Sequence, residues 1–232
     1  LEELKSRLDE LSCLASMEPA PPNLWAETLG SCHRKMRALQ QSPLSAGKAF
    51  GVPELDWAVW RMGRDWLSAH HPAIAGRGPE PGRVGPDVYL ASRIREAGGH
   101  TGLIGDFVRA LAGGDGRTAA DPALVLTAQE EAGAEALART GIAPDNVRFA
   151  GPGPAEEKLA RLCGHLLALR PRRLFLFQDA DDPLAVAVAH PEIAPERFLV
   201  HHSDAMPSFG LHLPGVRLIE LNPVAAAFSR TL

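Results

Sequence analysis

Asp87-Val88-Tyr89-Leu90-Ala91-Ser92, then Gly98-Gly99-His100-Thr101, then Gly102-Leu103-Ile104-Gly105-Asp106-Phe107-Val108-Arg109-Ala110-Leu111, reads as a short strand, a glycine-hinged turn and a helix. The strand has no polar alternation, as expected of a parallel strand covered on both faces. Glycines at the turn permit positive φ and close backbone approach. The helix after them offers free N–H groups and the positive end of its dipole, which suits an anion or a sugar hydroxyl. A tight packing turn would use the same residues, so the turn alone leaves both roles open.

The same texture continues downstream. Strands are expected at 123–127, 146–150, 173–177, 197–201 and 216–221. Between them fall an Ala/Glu-rich helix over 129–139, a helix over 155–169 with Leu159, Leu162, Leu166 and Leu169 in register, and a helix over 183–189 opened by Pro183. A last helix is expected to begin near Pro223. Apolar strands alternating with helices specify an α/β fold with a Rossmann-like, doubly wound parallel sheet of about six strands and right-handed crossovers.

Upstream the pattern is helical. Leu1, Leu4, Leu8 and Leu11 form an apolar seam between charged residues, and the prolines from Pro19 to Pro22 end it. A second helix over 24–41, capped by Asn23, and a third carrying Leu55, Val59, Met62 and Trp66 behind Pro53 complete an N-terminal helical segment, 1–80. Trp25, Trp57, Trp60 and Trp66 are expected to fill its core. Residues 75–86, rich in glycine and proline, separate it from the α/β unit, 86–232.

Composition narrows the function classes. The net charge of −4 and pI near 6.1 offer no general attraction for nucleic acid or anionic membrane. No apolar run reaches the ~20 residues of a membrane span. Cys13, Cys32 and Cys163 are three and widely spaced, which argues against a disulfide framework or a zinc ribbon and makes a reducing, cytoplasmic setting the expectation. The leucine seam could also pair with a second copy, giving a homo-oligomer, although packing within the chain uses it equally well.

Ligands of a doubly wound sheet bind beyond the carboxyl ends of its strands. The first strand ends in Arg93 and the glycine turn, which is not GxGxxG. The second ends in Leu126-Thr127 with no acidic residue, so the nicotinamide-dinucleotide fingerprint is absent. The fourth ends in Gln178-Asp179-Ala180-Asp181-Asp182-Pro183, whose aspartates can cap the next helix or take sugar hydroxyls or a metal. The fifth ends in His201-His202-Ser203-Asp204, a candidate acid/base or hydroxyl-binding cluster. The sixth ends in Glu220-Leu221-Asn222. No GxSxG elbow supports a serine hydrolase. His33, His70 and His71 read as members of solvated helix faces.

The run Val88 to Leu111 resembles the opening of the N-terminal domain in bacterial GT-B glycosyltransferases, where a strand leads into a GGHT-type loop and a helix. His201-His202-Ser203-Asp204-Ala205-Met206-Pro207-Ser208-Phe209-Gly210 resembles a His-Ala-Asp-His…Leu-Gly stretch of one group of these enzymes, and Asp181-Asp182-Pro183 the segment between. The resemblance implies the N-terminal, acceptor-side part of an enzyme that moves a sugar from a nucleotide-sugar donor to an acceptor. Gly98, Gly99, His100 and Thr101 would then face the donor across an interdomain cleft, with Asp181 and Asn222 as further binding residues. His202 and Asp204 would be acceptor contacts or a general base. It implies no metal or other cofactor, and a second Rossmann-like domain beyond residue 232 that makes most donor contacts. The family's second histidine is Ala205 here. The competing expectation is a non-catalytic Rossmann-like module whose helical extension binds a partner.

Overall fold

The computed structural model describes residues 25–43, 50–78, 80, 82–112, 120–202 and 206–221. The expected helices at 1–11 and after Pro223 lie outside these residues, as do Cys13, Asn23, Ser203, Asp204, Ala205 and Asn222. Among these residues the α-helices and strands follow in order, with a single 3-10 turn (Pro144–Asn146) before β3: α1 (Trp25–Gln40), α2 (Pro53–His70), β1 (Asp87–Ala91), α3 (Gly99–Ala112), β2 (Ala123–Leu126), α4 (Ala134–Thr140), β3 (Val147–Phe149), α5 (Ala155–Leu169), β4 (Arg173–Phe177), α6 (Pro183–Ala187), β5 (Glu196–His201) and β6 (Val216–Glu220).

All six strands are parallel, in the order β3-β2-β1-β4-β5-β6. This is the doubly wound, Rossmann-like arrangement, and its direction reverses between β1 and β4. A crevice opens at such a reversal because the loops leaving the two strands turn to opposite faces. The strands are covered on both sides. Val88, Leu90, Val125, Leu174, Leu176 and Leu199 share one core with the buried faces of α1, α2, α5 and α6. Tyr89, Ala91, Leu124, Leu126, Phe175, Phe177 and Val200 share the other with residues of α3 and α4. The alternation along each strand is the period-2 consequence of the pleat.

The two N-terminal helices therefore lie on the sheet and contribute to its core. Trp25 and Trp66 are buried, as expected, and Trp60 packs its ring 4.7 Å from His190. Trp57 departs from expectation and is exposed, because it falls on the solvent side of α2. Gly63 allows the close approach of α2 to α6: a Cβ there would lie 1.9 Å from the Ala187 carbonyl oxygen. Asp56 of α2 is wholly buried and accepts from the Gly210 N–H (2.7 Å) and the His212 N–H (2.9 Å), with His212 Nδ1 at 3.3 Å. Burial pushes its carboxyl above the usual range, against the pull of those hydrogen bonds.

One helix is shorter than its composition predicts. The expected helix over 129–139 begins only at Ala134, because the Gln129 amide bonds the backbone of Ile94 twice, accepting from its N–H at 2.5 Å and donating to its carbonyl at 3.0 Å. That tertiary tie holds the segment as a loop until Gly133.

Candidate functional site

The carboxyl edge of the sheet carries two polar groupings, one on each side of the strands. On the α3 side, Gly98 has φ +140, a backbone conformation that L side chains rarely adopt, and both Gly98 and Gly99 are exposed with open space where a Cβ would stand. The turn is held from below. Thr101 is buried and its hydroxyl accepts from the Arg95 N–H at 2.8 Å. Arg139 of α4 donates to the carbonyls of Glu96 and Gly98.

His100 stands at the start of α3 with its ring stacked on that of His202, centroids 4.4 Å apart. Burial, aided by the neighbouring His202 and opposed by a hydrogen bond to the Phe177 carbonyl, pushes His100 down to about 4, so it is neutral at physiological pH. Its Nε2 is buried without a hydrogen-bond partner. His202 Nδ1 lies 3.2 Å from the Val200 carbonyl, which can only accept, so Nδ1 carries a hydrogen and Nε2 is the nitrogen left to face the mouth.

The pleat separates the two adjacent histidines. His202 follows β5 on the α3 face, whereas His201 points to the other and pairs with Glu220 of β6, Nδ1 to Oε2 2.9 Å, both almost fully buried. His201 thus joins two strands, and His202 faces the mouth.

On the opposite side, Asp182 is buried at the reversal point. It accepts from the Ser92 hydroxyl (2.6 Å), from the Thr127 hydroxyl and, as cap of α6, from the Leu184 N–H (2.9 Å). Ser92 in turn accepts from the Asp179 N–H at 2.8 Å. One carboxylate therefore joins the ends of β1, β2 and β4. Burial raises its pKa, with the hydrogen bonds from Ser92, Thr127 and Leu184 opposing. Asp181 turns away from the histidines toward α1: Arg37 Nε lies 3.5 Å from its carboxylate, and His33 Nδ1 lies 2.7 Å from its carbonyl. Arg93 pairs with Asp179 at 2.9 Å.

These groups line a cleft of about 400 Å³, together with Lys158, Leu29, Gly30, Ala155 and Leu184. A larger cavity, about 880 Å³, opens near the amino ends of the strands between His70, Arg83 and Glu192. Ligands of doubly wound sheets collect at the carboxyl edge, which favours the smaller cleft.

Of the residues singled out from the sequence, Gly98, Gly99, His100, Thr101 and His202 come together, and Asp181 lies in the separate cleft. Asp204 and Asn222 fall outside the described residues. The sequence reading missed Ser92, Thr127, His33, Arg37 and Lys158 as members of one mouth. For Ser92 and Thr127 the available signal was a hydroxyl at the end of an otherwise apolar strand. Among known proteins, no family model matches the chain and no curated sequence matches it.

Proposed function

We propose that the chain is the acceptor-side, N-terminal part of a glycosyltransferase of the GT-B kind, transferring a sugar from a nucleotide-sugar donor to an acceptor hydroxyl. The observation that carries this reading is the stacking of His100 on His202. Two segments about a hundred residues apart, each resembling a segment of those enzymes, meet face to face at the carboxyl edge of a doubly wound sheet.

In this reading His202 Nε2 takes the proton of the acceptor hydroxyl as its oxygen bonds to the sugar's anomeric carbon. The bond from that carbon to the diphosphate breaks, and the nucleoside diphosphate leaves. The open glycines Gly98 and Gly99, with the first turn of α3, lie toward the leaving phosphates, where backbone N–H groups stabilise the developing charge. His100, held neutral, supplies a flat wall and an unoccupied nitrogen beside the base. A second Rossmann-like domain supplies most donor contacts.

The test is sugar transfer by the complete natural protein, assayed with a panel of UDP- and GDP-sugars. His202→Ala is expected to lower kcat by about a hundredfold or more while leaving donor KM nearly unchanged. Full turnover by that variant would remove His202 from the mechanism, and absence of transfer with every donor would overturn the assignment. The 232-residue chain alone is expected to bind these donors weakly or undetectably; tight donor binding insensitive to His100→Ala would contradict the placement of the glycine turn.

A further inference from the structure

The cleft on the far side of the strands is a different kind of site from the histidine wall. Its charges are unequally compensated. Asp182 is buried and its oxygens are taken up by three donors, the Ser92 and Thr127 hydroxyls and the Leu184 N–H. Asp179 is paired with Arg93, and Asp181 with Arg37. Lys158, half-buried on the first turns of α5, lines the same cleft, and among the described residues no carboxylate lies within ion-pair distance of it. Its neighbours along that helix face, Ala155, Arg161 and Leu162, include no carboxylate, and the adjacent Glu157 is engaged by Arg161 at 3.4 Å.

Leu29, Ala155, Pro183 and Leu184 give the cleft apolar wall, while Asp179, Asp181, Arg93 and Arg37 present partly exposed acceptors and donors around it. A volume of about 400 Å³ lies at the small end of ligand pockets. Carboxylates and guanidiniums side by side bind hydroxyl groups well, since a hydroxyl both donates and accepts. One uncompensated ammonium calls for one anionic group.

We propose that this cleft binds a small polyhydroxylated ligand carrying a single anionic group, a sugar phosphate or polyol phosphate, with the hydroxyls on Asp179, Asp181 and their arginines and the anion on Lys158. The binding of this ligand does not rest on the transferase reading, in which the acceptor hydroxyl lies at His202 on the other side of the strands.

Titration of the 232-residue chain with glucose 6-phosphate, myo-inositol 1-phosphate, glucose and inorganic phosphate, followed by calorimetry or ligand-observed NMR, tests it. Binding of at least one phosphorylated polyol is expected, with glucose and inorganic phosphate each markedly weaker. Lys158→Ala is expected to weaken that binding by about tenfold or more, the loss of one charge-assisted contact, and Lys158→Arg to retain most of it. Lys158 is not part of the core, so circular dichroism of the variants should match the parent and keep the comparison interpretable. Failure of every phosphorylated polyol to bind the folded chain overturns the proposal. So does binding that Lys158→Ala leaves intact, or inorganic phosphate binding as tightly as the polyols. If the chain binds as expected but the complete protein transfers no sugar, the transferase reading falls and the site stands; the converse result removes the site alone.

Discussion

His190 lies wholly buried in the turn between α6 and β5, its ring tilted against Trp60. Burial, with Arg197 and Arg64 nearby, pushes it down to about 3, far below the ordinary value of about 6.5. The unfolded chain takes up a proton as pH falls below about 6.5, and the folded chain does so only near 3. Stability from this residue is therefore intact above that window and is lost progressively as pH drops through it. His100, pushed down to about 4, acts in the same direction. Asp56 and Asp182, whose values are raised, act the opposite way, so the residue's own share is read from a difference. Urea titrations from pH 7 to pH 4 should show a shallower acid loss for His190→Leu than for the parent; equal slopes would contradict the assignment. At this scale the functional distinction is also made. One residue's step along β5 sends His201 to Glu220 and His202 to His100.

At the level of elements, the contacts that fix the mouth are close backbone approaches. A Cβ at Gly63 would meet the Ala187 carbonyl at 1.9 Å, and one at Gly105 would meet the Arg139 carbonyl at 2.2 Å. Both neighbours are backbone and cannot rotate away, so α2 must move off α6, or α3 off α4. Gly63→Ala is expected to cost about 1–3 kcal/mol, the range of overpacked cores, despite the higher helix propensity of alanine. Chemical denaturation measures it, and a stability equal to or above the parent would show that the two helices do not approach this closely. The helices themselves were legible from spacing alone: 155–169 was expected and is observed at those bounds, and the apolar strands fall within a residue or so of expectation. The late start of α4 was not, because Gln129 finds its partner at Ile94, 35 positions earlier.

Across the whole molecule, Asp56 ties the N-terminal helices to the loop behind β5, which carries Phe209 and Gly210. Removing the carboxylate leaves two backbone N–H groups and a histidine without their acceptor in the core. Asp56→Ala is expected to destabilise by about 2–4 kcal/mol and to open the 206–213 loop to protease before global unfolding. Unchanged cleavage of that loop would mean that other contacts hold it. The sequence by itself determined the α/β class, the parallel sheet, the identity of its strands and the glycine turn with its histidines. Each of these follows from local periodicity or local backbone freedom, which a chain expresses over a few residues. Only the tertiary structure decided that His100 and His202 are partners, that His201 is not, and that Asp182 gathers Ser92 and Thr127 from positions 90 and 55 residues away. Strand order and the facing of side chains across the sheet arise from packing the whole chain at once, and no local pattern encodes which distant polar groups that packing will bring into one buried space.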